Sequence, residues 1–204
     1  MIGILDYGAG NVKAIVRIYN NLKIPNKLIQ TTSDFEGVQK LILPGVGSFD
    51  AVMSKLNESG LKERLSELVL VNKIPVFGIC VGLQIMANSS EEGTLPGLGW
   101  FNATVRKFKL PNQYYVPHMG WNTCHLSGVN DIFNGTDVEF GFYFVHSFYF
   151  SLEEVVDSIA VSSYGIEFIS ALRKGNIFAT QFHPEKSHTN GVTLLRNFAE
   201  QDIC

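Results

Sequence analysis

The pentapeptide Gly78-Ile79-Cys80-Val81-Gly82 constrains this chain more than any other stretch. Ile74-Pro75-Val76-Phe77 before it reads as a buried strand, and Leu83-Gln84-Ile85-Met86-Ala87 after it as the first turns of a helix. A nucleophile flanked at two residues on each side by small residues, between strand and helix, is the sequence form of a nucleophile elbow. Glycines at 78 and 82 fit a sharp turn that neighbouring backbone passes closely. The turn would set Cys80 at a helix N-terminus, where free N–H groups and the dipole favour a thiolate. The alternative is a buried cysteine packed as a small apolar residue, and the pentapeptide alone does not separate the two.

The residues before the elbow alternate strand and helix signals. Ile2–Leu5 is a short apolar run, Asp6-Tyr7-Gly8-Ala9-Gly10-Asn11 a turn, and Val12, Ile15, Val16, Tyr19 and Leu22 then recur at helical spacing. The Gly-x-Gly in that turn is no dinucleotide fingerprint. A third glycine is missing, and Gln30 or Thr31 stands where an acidic residue is required about 20 positions on. Lys27–Ile29 and Leu41–Leu43 read as further strands, the latter running into Pro44-Gly45-Val46-Gly47. A loop of so little bulk can reorient its peptides at low cost, and it leaves the sheet at the edge where α/β sheets bind ligands. Leu61, Leu65, Leu68 and Val69 give another helix before the elbow strand. Residues 1–90 thus read as a parallel, doubly wound half.

Beyond a turn-rich loop at 89–99 the composition shifts to aromatic and β-branched residues. Trp100–Phe108, Tyr114–Val116, Phe140–Phe150, Ser158–Val161, Phe168–Leu172 and Asn176–Phe182 read as strands, with a closing helix from about Asn190. The fold expected is α/β: one three-layer domain over 1–204, with an open, mixed but mostly parallel sheet flanked by helices and an antiparallel, β-rich second half.

A net charge of −3 without a basic run leaves no footprint for nucleic acid. No apolar stretch reaches membrane-spanning length, and Met1–Asp6 reads as a first strand, not a signal peptide. The cysteines, Cys80, Cys124 and Cys204, form no CxxC and no metal spacing, so neither a metal nor a disulfide framework is expected. These features describe a soluble, cytoplasmic protein.

His183 and Glu185 supply the second piece of chemistry. In an extended chain their side chains would face the same way, and Pro184 between them stiffens the pair. With Cys80 on a parallel strand of the same sheet, they give thiolate, base and orienting acid. Acyl transfer from an amide or ester carbonyl suits this set. The oxyanion needs two donors: the N–H of Val81 is one, and the loop around Val46 could present the other. His118, His125, His146 and His188 are expected to be structural or surface residues, and Cys124 and Cys204 carry no assigned role.

With these residues in view the chain resembles the class I (triad-type) glutamine amidotransferases, and within them the glutaminase subunits of imidazole glycerol phosphate synthases. The likeness runs through Asp6–Asn11, Pro44–Gly47, Gly78–Gln84 and Gln181–Ser187, and through the more specific Pro117-His118-Met119-Gly120-Trp121-Asn122 and Tyr143-Phe144-Val145-His146-Ser147. It implies a cofactor-free Cys80–His183–Glu185 triad that hydrolyses L-glutamine. Gln84 and the backbone at Gly47, Ser147 and Phe148 would hold the substrate. Ammonia would pass to a (β/α)8-barrel cyclase partner near Asn11, Trp121, Asn122, Tyr143 and Lys186, for imidazole glycerol phosphate formation in histidine biosynthesis. Free glutaminase activity would waste glutamine, so gating is also expected, with the Val46 peptide turned away from the oxyanion until the partner's ligand binds. Trp100 and the stretch 102–112 depart from the pattern. They keep open a paralogue that feeds ammonia to surface-sugar amidination. A stand-alone cysteine γ-glutamyl hydrolase is a further alternative.

Overall fold

A computed structural model describes residues 1–127, 131–137 and 139–201. Its first half is the parallel winding expected. Strand β1 (Ile2–Leu5) is followed by helix α1 (Val12–Asn21), β2 (Asn26–Ile29), β3 (Lys40–Gly45), α2 (Phe49–Glu58), α3 (Lys62–Leu70) and β4 (Val76–Cys80). Helix α1 buries Val12, Ile15 and Tyr19, the stripe that its spacing marks. Strands β1, β3 and β4 are almost wholly buried, which is why they read as unbroken apolar runs.

The second half contributes α4 (Val81–Gln84), β5 (Ser89–Ser90), β6 (Ala103–Lys107), β7 (His118–Asn122), β8 (His125–Ser127), β9 (Phe142–His146), β10 (Phe148–Leu152), β11 (Ser158–Ser163), β12 (Glu167–Lys174), β13 (Ile177–Thr180) and helix α5 (His188–Glu200). Among the described residues, eight strands form the main sheet in the order β2-β1-β3-β4-β13-β12-β11-β8. Pairing is parallel from β2 to β13 and antiparallel from β13 to β8. Strand β13 therefore lies beside the elbow strand β4, with Thr180 opposite Ile79. A three-stranded sheet, β10-β6-β5, and the pair β7-β9 stand outside the main sheet.

Several segments differ from their sequence-based expectations. The helix after the elbow is a single turn, because the chain at 97–101 takes the carbonyls a longer helix would use. Leu98 N donates to Ile85 O at 2.7 Å, Gly99 N to Ala87 O at 3.1 Å and Trp100 N to Met86 O at 2.9 Å. For the same reason the expected strand at Trp100 begins only at Ala103. Phe140–Phe150 is two strands broken at Ser147, since β9 pairs with β7 and β10 with β6. Tyr114–Val116 forms no strand. Helix α5 starts at His188, two residues before the expected position. Cys204 lies outside the described residues.

Candidate active site

The elbow brings backbone against backbone. A Cβ on Gly82 would lie 2.0 Å from Leu43 O, and one on Gly45 would lie 2.4 Å from Gly82 N. Only glycine allows the end of β3 and the first turn of α4 to approach so closely. Between them Cys80 takes φ 54 and ψ −109, a left-handed conformation costly for a side-chain-bearing residue. The sulfur is thereby held at the C-terminal edge of the sheet with the residue only 4% exposed. With α4 one turn long, the helix dipole adds little at the sulfur, and its side-chain neighbours set its surroundings.

His183 is the principal neighbour. Its Nδ1 lies 2.9 Å from Glu185 Oε1, and the ring is hydrogen-bonded on its other side to the Cys80 sulfur. Burial by itself lowers the affinity of the imidazole for its proton. The charge and hydrogen bond of the Cys80 sulfur, together with the hydrogen bond and charge of Glu185, outweigh that and hold the His183 pKa up at about 10. The facing of His183 and Glu185 does not come from strand alternation, as the sequence implied. Strand β13 has ended at Thr180, and Pro184–Lys186 is a 3-10 turn with proline in its first turn. The His183 backbone is anchored to β9: its N–H donates to Tyr143 O at 2.9 Å, and its carbonyl accepts from Ser187 Oγ at 2.6 Å. The Ser187 hydroxyl oxygen in turn accepts from Tyr143 N.

A cavity of about 240 Å³ opens onto Cys80, bounded by Gly47, Val81, Gln84, Ser147 and Phe148 among others. All four residues expected to hold the substrate therefore reach one space. Larger cavities exist elsewhere, but they contain no nucleophile beside a base. The Gln84 amide donates to Phe148 O and to Gln181 Oε1, both at 3.1 Å, and Gln181 Nε2 donates to the Cys80 sulfur at 3.7 Å. Val46 is half exposed in the loop beyond Gly45, and Gly47 has φ +125. The Tyr7 hydroxyl donates to Pro44 O, which pins the start of that loop.

Three residues expected on the ammonia path gather beside the triad. Trp121 stacks on His188 with ring centroids 5.3 Å apart and contacts Tyr143 edge-on, and Lys186 Nζ lies 5.8 Å from the centre of the Tyr143 ring. Asn122 is different: its amide points inward to Ser163 O and His118 Nε2. Asn11 lines a separate cavity of about 490 Å³ at the β1–α1 turn. That turn packs on the Pro44–Gly47 loop, because a Cβ on Gly10 would meet Pro44 Cβ at 2.6 Å.

Residues 3–201 match the family model described as Glutamine amidotransferase class-I. The chain belongs to that family. Among curated relatives, the Imidazole glycerol phosphate synthase subunit HisH of Leptospira interrogans is 50% identical over 202 residues, 98% of this chain and 99% of its own length. The protein of that name from Bdellovibrio bacteriovorus is 48% identical over 203 residues, covering 98% of this chain and all of the relative. Solved structures share the fold at low identity. A glutamine amidotransferase matches with a TM-score of 0.68 at 22% identity, over 98% of this chain and 97% of its own. PurLQS from Thermotoga maritima matches with a TM-score of 0.73 at 12% identity, over 97% and 96%.

Two features of this amidotransferase's site escaped the sequence. Glu92 lines the cavity, and its Oε2 accepts from Phe49 N at 2.7 Å, at the start of α2. The loop after it is clamped by Asp50, whose carboxylate accepts from Thr94 N and Leu95 N. No local spacing joins Glu92 to Cys80. Its signal was only an acidic pair in a turn-rich loop. Gln181 sits in the Gln181–Ser187 stretch with nothing in the sequence to give it a role, and its contact with the sulfur depends on β13 lying beside β4.

Proposed function

We propose that this amidotransferase is the glutaminase subunit of an imidazole glycerol phosphate synthase. In this proposal Cys80 is the nucleophile, His183 the base and Glu185 its orienting acid. The observation that carries the chemistry is the elbow thiol beside a buried, carboxylate-held imidazole. The 46–50% identity to full-length relatives named HisH supports the acceptor.

In the reaction the Cys80 sulfur attacks the side-chain carbonyl carbon of L-glutamine. The oxyanion accepts hydrogen bonds from the N–H of Val81 and, once its peptide faces the site, of Val46. His183 gives its proton to the departing nitrogen, the carbon–nitrogen bond breaks, and ammonia leaves a γ-glutamyl thioester. His183 then takes a proton from water, whose oxygen attacks the thioester, and glutamate departs as the sulfur leaves. Gln84, Gly47 and the backbone at Ser147 and Phe148 position the substrate, and the Glu92 carboxylate suits its ammonium group. Ammonia crosses the face around Trp121, Tyr143 and Lys186, with Asn11 and Asn122 at its margins, to a (β/α)8 cyclase in the cytoplasm.

Mixing the chain with candidate (β/α)8 cyclases tests this proposal. A cognate cyclase with its ligand should raise glutaminase turnover, and full turnover by the chain alone would remove the gating and favour a stand-alone γ-glutamyl hydrolase. A second reading, ammonia supply to surface-sugar amidination, is kept because several relatives bear numbered names, HisH 1 or HisH 2. Such names distinguish more than one subunit of this kind. Stimulation by a cyclase-like partner that makes no imidazole glycerol phosphate would favour it.

A further inference from the structure

His118 and His146 stand opposite each other in the β7–β9 pair, and their rings meet inside the protein with His118 Nδ1 2.9 Å from His146 Nε2. The hydrogen-bond partners fix every proton. His146 Nδ1 is 2.8 Å from the Phe148 carbonyl, which only accepts, so that nitrogen carries the hydrogen and Nε2 accepts from His118 Nδ1. His118 Nε2 then accepts from the Asn122 amide at 3.3 Å. Neither ring carries charge near neutral pH. Burial lowers the His118 pKa to about 4, and burial leads the causes that lower that of His146 to about 3.

The pair is boxed by aromatic rings. His118 stacks on Tyr164 at 4.1 Å and on Phe144 at 4.9 Å, and His146 packs against Phe108 and Phe168. Apolar packing of that kind needs no imidazole, and burying two polar rings costs stability unless each is fully hydrogen-bonded. Here each is, and the bonds run in one direction, Asn122 to His118 to His146 to the Phe148 carbonyl. That carbonyl lies where the chain leaves β9 for β10 at Ser147, and it also accepts from Gln84. Both His146 and Phe148 line the cavity at Cys80.

We propose that His146, held by His118, is a positioning residue for glutamine binding. It fixes the Phe148 carbonyl, and through it the Ser147–Phe148 backbone and the Gln84 amide, in the orientation that receives the substrate. This rests on the glutaminase reading above.

Saturation kinetics of Cys80 alkylation by a diazoketone analogue of L-glutamine, set beside alkylation by iodoacetamide, tests it on the full chain. His146→Leu should raise the half-saturating concentration of the analogue about tenfold, the worth of one hydrogen bond, with the limiting rate and the iodoacetamide rate nearly unchanged. His118→Leu should shift the same constant in the same direction. His146→Asn places an amide N–H where Nδ1 stands and should restore the constant, whereas His146→Gln places it where Nε2 stands and should not. If His146→Leu does not fold, the Asn and Gln variants carry the test, and equal constants for them overturn the proposal. An unchanged constant in folded His146→Leu overturns it, as does equal slowing of both reagents. Wild-type labelling that L-glutamine fails to protect against would overturn the glutaminase reading as well, which separates the two failures.

Discussion

Adding one methyl group at Gly82 sets backbone against backbone. The new Cβ would lie 2.0 Å from Leu43 O, 3.0 Å from Leu43 C and 3.3 Å from Pro44 C. No flexible side chain is there to move, so β3 and the first turn of α4 must part by roughly 1.4 Å to reach ordinary contact. Overpacking costs about 1–3 kcal/mol where neighbours can relax, and rigid backbone puts Gly82→Ala near the top, at about 3 kcal/mol. For a chain of this size that lowers the melting temperature by roughly 6–12 °C. The same displacement separates Cys80 from the Pro44–Gly47 loop, and a misplacement of about 1 Å costs roughly 100-fold in rate. Gly37→Ala is the control: its Cβ would meet nothing within 4 Å, but φ is +73. It should cost about 1–2 kcal/mol and leave Cys80 chemistry alone. Circular-dichroism melting and glutaminase turnover in the presence of the proposed cyclase measure both effects. If Gly82→Ala melts and turns over like the wild type, or cannot be told from Gly37→Ala, the close-approach account of the elbow is wrong.

Cys80→Ala removes the strongest influences that raise the His183 pKa while burial stays, so the ring should lose its proton at a lower pH than in the wild type. Imidazole NMR titrations of the two proteins show the difference, and coincident curves would refute the coupling. Because the folded pKa of His183, about 10, exceeds its ordinary value of 6.5, its contribution to stability is complete below pH 6.5 and is lost as pH rises toward 10. Urea midpoints should therefore fall between pH 7 and 10 more steeply in the wild type than in Cys80→Ala. Glu185→Gln leaves a side chain of nearly the same shape but no charge to stabilise imidazolium, and turnover should fall by roughly 10,000-fold, with little change in half-saturating glutamine. Asn190 joins α5 to the loop before β9 by accepting from Asp137 N and donating to Asp137 O and Gly141 O. Asn190→Ala should cost about 3 kcal/mol in denaturant melts without abolishing labelling of Cys80.

What was legible in the sequence is what depends on near neighbours along the chain. Gly78 and Gly82 around a single thiol forced the elbow, because the crowding they relieve comes from the turn itself and the adjoining strand. The parallel half was legible through unbroken apolar runs, and His183 and Glu185 through their spacing, although a 3-10 turn and not strand alternation makes them face. What stayed hidden depends on distant pairings. The helix after the elbow stops at Gln84 because residues 97–101 take its carbonyls, which no propensity near Leu83 reports. The break at Ser147 arises because the strands on either side join different sheets. Glu92 reaches the cavity only through the loop that Asp50 clamps. His118 and His146, read as structural, acquire a direction only once β7 lies against β9.

The central claim is that Cys80, made reactive by His183, is the residue that receives the glutamine acyl group. Peptide mapping by mass spectrometry after treatment with the diazoketone glutamine analogue tests it most directly. A single adduct on the peptide carrying Cys80, suppressed by L-glutamine but not by L-asparagine and much slowed in His183→Ala, is the predicted result. Modification of Cys124 in preference to Cys80, or a Cys80 adduct that forms equally fast without His183, would contradict the account.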